Sequence, residues 1–204
     1  MKVHDPAPLV CLASASARRR ELLAQIGVPH VVSAAHLDEA LRCGERAADY
    51  VVRMARAKAL AVHERGVRLP VLAADTTVVL DEIVCGKPAD EAESLAMLER
   101  LSGRTHQVLT AVALAADGAV SLRLSASEVR FRTLSRAECS AYWHTGEPRD
   151  KAGGYAVQGR AAVFIEHLSG SYSGVMGLPL FETAELLRAA GVPYWRHGAR
   201  APKR

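Results

Sequence analysis

Residues 71–88, VLAADTTVVLDEIVCGKP, hold the reading on which the fold turns. An apolar run, Val71-Leu72-Ala73-Ala74, ends on the carboxylate of Asp75, with Thr76 and Thr77 behind it. A second apolar run leads through Asp81-Glu82 to Gly86-Lys87-Pro88. The pattern predicts a central pair of buried strands, with Asp75 at the end of the first. A strand that delivers an acid, two hydroxyls and then a lysine suggests the edge of an active site. Taken alone, the segment is as easily a strand that ends in an ordinary turn.

On the N-terminal side, residues 8–13 read as a short buried strand, and Ser14-Ala15-Ser16-Ala17 breaks it. Residues 18–26 follow as a helix stopped by Gly27, with either serine able to cap it by accepting an orphan backbone N–H. Residues 28–33 are a second strand. Residues 47–64 form the longest helix candidate, with Tyr50, Val51, Met54, Lys58 and Ala61 at helical spacing. A lysine in that apolar series sits at the rim of the core or points into a cleft.

On the C-terminal side, Asp90-Glu91-Ala92-Glu93 resembles a capping box that opens a helix to Arg100. Residues 105–115 and 119–131 read as two long strands around Asp117-Gly118, a strong hairpin signal. Ser135-Arg136-Ala137-Glu138 opens another helix. Residues 146–159, GEPRDKAGGYAVQG, have no period and are dense in glycine, charge and hydrogen-bonding groups, as functional loops often are. Residues 163–168 read as a strand, 169–177 as a turn-rich connector and 179–190 as a helix. Strands alternating with helices, plus one long hairpin, predict an α/β fold on a mixed sheet.

The chain of 204 residues suits one medium domain over residues 1–195. Its net charge of +4 invites a nucleic-acid reading, but the excess sits at one end. Residues 196–204, RHGARAPKR, hold Arg196, Arg200, Lys203 and Arg204 and no acid. Without these four, the 26 Lys and Arg fall to 22, equal to the 22 acids. The body is neutral and the basic stretch reads as a disordered tail, so no nucleic-acid partner is expected. No apolar run approaches the roughly 20 residues that span a bilayer, and the N-terminus makes a poor secretory signal, which predicts a cytoplasmic protein without a membrane partner. The four cysteines form no C-x-x-C pair and read as reduced thiols. Cys85, close to Lys87, is a candidate for a lowered thiol pKa.

The chemistry-bearing residues suggest an anionic ligand. In Ser14-Ala15-Ser16-Ala17-Arg18-Arg19, a strand, a tight turn and a helix start bring free N–H groups and the positive end of the helix dipole to one point. Ser14, Ser16, Arg18 and Arg19 could grip a polyphosphate there; the plainer reading is a capped helix with solvated arginines. Lys58, Lys87 and Lys151 fit the same idea. Asp75 and Glu39, with Asp38 beside it, could serve Mg2+, which needs only one or two carboxylates besides phosphates and water. Asp75 could also be a general base. The histidines show no metal spacing, which disfavours zinc.

These residues resemble the Maf family of nucleoside triphosphate pyrophosphatases. Leu12-Ala13-Ser14-Ala15-Ser16-Ala17-Arg18-Arg19 with Glu21-Leu22-Leu23 matches its opening motif. Ala74-Asp75-Thr76, Gly86-Lys87-Pro88, Leu101-Ser102-Gly103-Arg104-Thr105-His106 and Gly177-Leu178-Pro179 match its later blocks in order. The resemblance covers roughly residues 9–191. It implies an elongated α/β fold similar to inosine triphosphate pyrophosphatases, with two lobes around a cleft. It also implies hydrolysis of a small-molecule nucleotide to the monophosphate and pyrophosphate with a divalent cation, Mg2+ or Mn2+.

The loop Asp150-Lys151-Ala152-Gly153-Gly154-Tyr155-Ala156-Val157-Gln158-Gly159 looks like the branch of the family acting on dTTP and UTP. Arg18, Thr76 and Gln158 fall on that branch's positions for base selection, and Asp75 on its proton acceptor. Ser14, Arg19, Glu39, Lys58 and Lys87 match other polar positions of the cleft. A carboxamide at Gln158 complements the O4 and N3–H edge shared by uracil and thymine. Ala15 and Ala17 depart from the family pattern, which often has Gly or Gln and usually Pro there. The alternatives are a 7-methyl-GTP pyrophosphatase and a non-catalytic nucleotide-binding regulator of cell division. A homodimer is compatible with the resemblance.

Overall fold

A computed structural model describes residues 6–195. The basic stretch 196–204 lies outside the described residues. β1 (Val10–Leu12) runs into the small-residue turn and α1 (Ala17–Gln25). Ser16 is the cap, its hydroxyl facing the Arg19 N–H at 3.5 Å. After β2 (His30–Val32) come α2 (Ala47–His63), β3 (Val71–Leu80) and β4 (Ile83–Cys85). α3 (Glu91–Leu101) precedes the long hairpin of β5 (Thr105–Ala116) and β6 (Ala119–Phe131). α4 (Arg136–His144), β7 (Ile165–Ser169), α5 (Tyr172–Met176) and α6 (Leu180–Ala189) complete the described chain.

The seven strands form one mixed sheet in the order β2-β1-β3-β5-β6-β7, with β4 also on β3. β1 is parallel to β2 and β3, and the other pairings are antiparallel. The hairpin turn Asp117-Gly118 has positive φ at both residues, the twist that suits a two-residue connection. Asp81 and Glu82 make a second such turn at φ 51° and 62° without any glycine. There Arg104 Nη2 reaches both Asp81 carboxylate oxygens, at 2.6 and 2.8 Å, and holds the strained connection.

β3 decides where a site can form. Along one edge it pairs with β5 without interruption from Val71 to Val79. Its other edge is shared: β1 covers Val71 and Leu72, and β4 covers Val78 to Leu80. Residues 73–77 therefore have a strand neighbour on one side only. This corrects the expectation that Asp75 ends a strand. The strand continues because β5 supports it, while the missing partner opposite leaves the gap that a strand end would have left.

Alternation sends odd residues of β3 to one face and even residues to the other. The odd face packs Val71, Ala73 and Val79 under α2, against Val51, Ala55, Ala59 and Val62. The even face carries two clusters. One joins Leu72 and Ala74 to Leu22, Leu23, Leu186 and Leu187 of α1 and α6. The other joins Val78 and Leu80 to Leu95, Leu98, Cys139 and Tyr142 of α3 and α4. Between them, Thr76, Thr110 and Ser125 stand in register across β3, β5 and β6 as a row of hydroxyls.

Three further expectations change. Residues 169–177 contain the short helix α5, capped by Ser171 through the Gly174 N–H at 3.0 Å. The last strand begins at Ile165 because Arg160–Phe164 winds into a 3-10 turn. The Cys85 thiol is pushed up by burial, against the weaker opposing charge of Arg100, and is not activated by Lys87. Among the described residues, no helix is long and apolar enough to cross a membrane.

His106 is fully enclosed beside Phe131 and Tyr155, and burial pulls its imidazole from 6.5 down to about 4. The unfolded chain then binds a proton that the folded chain refuses between those two values. This contribution to stability is complete above pH 6.5 and is lost as pH falls towards 4. Between pH 7 and 5 the protein should lose about 2 kcal/mol relative to a His106→Phe variant. Urea denaturation of both proteins at the two pH values checks this; equal losses would contradict it.

Candidate active site

The gap in β3 opens into a cavity of about 740 Å3, a size typical of ligand sites. Its wall includes Ser14, Ser16, Arg18, Arg19, Glu39, Lys58, Asp75, Thr76, Lys87, Lys151 and Gln158 of the residues singled out from the sequence, and leaves out Asp38. Five chain segments deliver them. The turn after β1 brings the serines and arginines, the loop after β2 brings Glu39, α2 brings Lys58, β3 with the residues just after β4 brings Asp75, Thr76 and Lys87, and the 146–159 loop brings Lys151 and Gln158. Asp75 and Thr76 point to opposite faces of the sheet, yet both reach the cavity because no strand closes that edge.

On the α2 face the centre is a lysine between two carboxylates. Lys58 lies on the buried stripe of α2, among Val51, Met54, Ala55 and Val62. Its ammonium meets Asp75 Oδ1 at 2.7 Å and Glu39 Oε1 at 2.6 Å. It thus points into the cleft. Burial raises the Asp75 carboxyl above its ordinary value, and the charges of Lys58 and Arg19 offset this only in part. For Glu39 burial also opposes ionisation, but the Lys58 hydrogen bond and the charges of Lys58, Lys87 and Arg19 outweigh it and hold the carboxyl low. The two acids are thereby pushed apart in basicity, which marks Asp75 as the stronger proton acceptor.

Glu39 sits on a loop, and α2 fixes that loop. Tyr50 donates to the Glu39 carbonyl at 3.0 Å, and Arg53 donates to the Ala40 carbonyl at 3.1 Å and to both oxygens of Glu45. Among the described residues no cluster of three His, Cys, Asp or Glu could hold a metal. Asp75 and Glu39 alone supply hard oxygen donors converging on one cation, Lys58. That donor set fits Mg2+ or Mn2+ completed by phosphate oxygens and water.

On the other face Arg19 is held at three points. Nε donates to the Gly177 carbonyl at 2.7 Å, Nη1 to Ser14 Oγ at 3.4 Å and Nη2 to Thr76 Oγ1 at 3.2 Å. Thr110 Oγ1 lies 2.8 Å from the Gly174 carbonyl, which only accepts, so its single proton goes there. Thr76 then donates to Thr110 across 3.0 Å while accepting from Arg19. Gly177, at φ 118°, adopts a conformation that side chains rarely take, and a Cβ there would come within 3.4 Å of Arg19 Nε. Ser14 Oγ also accepts the Ser16 N–H at 3.2 Å, which shapes the turn.

Lys87 and Gln158 are exposed at the rim. The cavity wall carries five cations, Arg18, Arg19, Lys58, Lys87 and Lys151, against three acids, Glu39, Asp75 and Asp150. That balance favours an anion. Lys151 pairs with its neighbour Asp150. Thr110 escaped the sequence reading, although a hydroxyl inside the run Val108-Leu109-Thr110-Ala111-Val112 was a visible signal. Of the two glycines whose carbonyls anchor Thr110 and Arg19, Gly174 was visible only as a turn residue and Gly177 only as part of a family block.

A family profile described as Maf-like protein matches residues 9–190. The dTTP/UTP pyrophosphatase of Alkalilimnicola ehrlichii is 54% identical over 197 residues, covering 93% of this chain and 96% of that protein. The dTTP/UTP pyrophosphatase of Saccharophagus degradans is 52% identical over 190 residues, 91% of this chain and 90% of that protein. The protein of the same name from Bordetella parapertussis is 53% identical over 201 residues, 92% and 95% of the two chains.

Proposed function

The chain belongs to the Maf family, and from that premise we propose that it hydrolyses dTTP and UTP to the nucleoside monophosphate and pyrophosphate. The observation that carries the reading is a single cavity with a basic, buried carboxylate, Asp75, beside a set of phosphate-gripping groups, with a carboxamide on the facing loop. In this reading a water oxygen attacks the α-phosphorus, its proton passes to Asp75, and the bond to the oxygen bridging the β-phosphorus breaks to release pyrophosphate. Ser14, Ser16, Arg19, Lys58 and Lys87 hold the phosphates and offset the charge that develops. Arg18, Thr76 and Gln158 select the base, Gln158 through its paired donor and acceptor. Thr76 is engaged by Arg19 and Thr110, so it acts by fixing that wall. A divalent cation bound by Asp75 and Glu39 would neutralise phosphate charge and favour the leaving pyrophosphate.

We place this activity in residues 1–195 of a cytoplasmic protein, a nucleoside triphosphate diphosphatase whose partner is a small-molecule nucleotide. Pyrophosphate release from a nucleotide panel with Mg2+ or Mn2+ is the test. dTTP and UTP should lead the other nucleotides by at least about tenfold, because a base that leaves a site's polar groups unpaired loses that much. A preference for 7-methyl-GTP would overturn the assignment to pyrimidines. No release from any nucleotide would overturn the enzymatic reading.

A further inference from the structure

The reaction uses no histidine, yet one of the best-enclosed polar side chains lies directly behind the site. His106, on β5, is 2% exposed. Its Nε2 lies 2.8 Å from the Tyr155 hydroxyl, and its ring stands edge-on to Phe131 and Tyr155, at centroid distances of 5.0 and 5.4 Å. Its Nδ1 is buried and has no partner among the described residues. An imidazole kept only for packing would be improved by a phenyl ring, since a buried polar atom without a partner is a net loss to stability. The hydrogen bond to Tyr155 is what the imidazole adds.

Tyr155 lies three residues before Gln158 on the same loop and itself lines the cavity. The loop is seated on the sheet at Gly153, whose N–H donates to the Gly86 carbonyl at 2.9 Å. A Cβ at Gly153 would come within 2.7 Å of Val78, so only glycine lets the loop lie this close. Beyond Gln158 the loop is tied by Glu147, which accepts the Arg160 N–H at 3.0 Å. Gln158 has no side-chain hydrogen bond of its own among the described residues, so these tethers set where its carboxamide stands.

We propose that His106 is a positioning residue for nucleotide selection: through the Tyr155 hydroxyl it clamps the loop that carries Gln158 to the strand beside β3. The inference rests on the reading of Gln158 as a base-contacting residue. Because β5 backs β3 along the stretch that holds Asp75, the clamp ties the base-reading loop and the reacting groups to one rigid frame.

The test compares wild type with Tyr155→Phe, His106→Phe, the double variant and His106→Gln, which restores a side-chain nitrogen. Each is assayed on the nucleotide that the panel ranks first and on its poorest competitor, and amide exchange is followed across residues 153–159. Each phenylalanine variant should lower kcat/KM for the preferred nucleotide roughly tenfold, mainly through KM, and narrow the preference over the competitor. The double variant should be no worse than either single one, because both remove the same bond. Exchange in the loop should quicken while Tm stays level or rises in His106→Phe, and His106→Gln should recover most of the loss. Additive losses, unchanged kinetics, or loop exchange equal to wild type would overturn the clamp. A wild type with no base preference would overturn both the clamp and the reading beneath it. That result is visible before any variant is made, whereas a selective wild type with unaffected variants overturns the clamp alone.

Discussion

Asp75→Asn should lower pyrophosphate release by about 10^2- to 10^4-fold, the range for loss of a positioned general base, and leave the protein folded. The substitution keeps the shape of the side chain and an oxygen for the Lys58 ammonium, which stands 2.7 Å from Oδ1. It removes a charge that burial disfavours but leaves the buried Lys58 ammonium with Glu39 as its remaining carboxylate, so stability should fall rather than improve, by less than the loss of the lysine causes. The phosphate-gripping groups on the other segments are untouched, and nucleotide affinity should change by only a few-fold. Raising Mg2+ separates the two roles open to this carboxylate. A rate restored by excess metal assigns Asp75 as a ligand, and a rate that stays low assigns it as the proton acceptor. Full activity in the variant would remove Asp75 from the chemistry altogether.

Lys58→Met should be the most damaging single substitution to fold and activity together. The ammonium is the partner that partly offsets the burial of Asp75, and a methionine of similar length leaves that carboxylate uncompensated. Removing one member of a buried pair typically destabilises by about 3–5 kcal/mol. Glu39 is too exposed to add much. The loss should depend on pH. Without Lys58 the folded pKa of Asp75 rises further above its unfolded value, and a group raised in this way loses stability as pH climbs from the unfolded value towards the folded one. Urea denaturation at pH 5.5 and 8 should show the larger deficit at pH 8. The acid limb of the pH–rate profile should move upward as the base stays protonated to higher pH, on top of a fall in kcat of about 10^2-fold or more. A deficit independent of pH, or an acid limb that does not move, would separate Lys58 from Asp75.

Local signals in the sequence were enough for elements whose ends are set by local chemistry. The Ser135 capping box before α4 and Asp117-Gly118 in the long hairpin each act within a few residues and stand where the sequence puts them, and of the two serines able to cap α1 it is Ser16 that does so. The tight turn at Asp81-Glu82 gave no such sign, because it lacks glycine and asparagine and depends on Arg104, more than twenty residues away. α5 is too short, at five residues with a glycine inside, for periodicity to reveal.

The site divides in the same way. Motif order named its polar residues, and helical spacing left Lys58 at the rim or in the cleft. Which carboxylates it meets depends on β3 and a loop brought together only by folding. The position of Asp75 inside a continuous strand was hidden for a related reason. A sequence shows where a strand is apolar, and the neighbour that is missing along one edge belongs to the sheet.

That missing neighbour sets a limit on how this protein can change. Lengthening β1 by a few residues, or continuing β4 past Cys85, would mend the ladder along residues 73–77 and strengthen the sheet. It would also close the stretch where both faces of the sheet meet the cavity. Resistance to heat and access for substrate therefore compete for the same peptide groups, and the unfinished edge of β3 records how that competition was resolved.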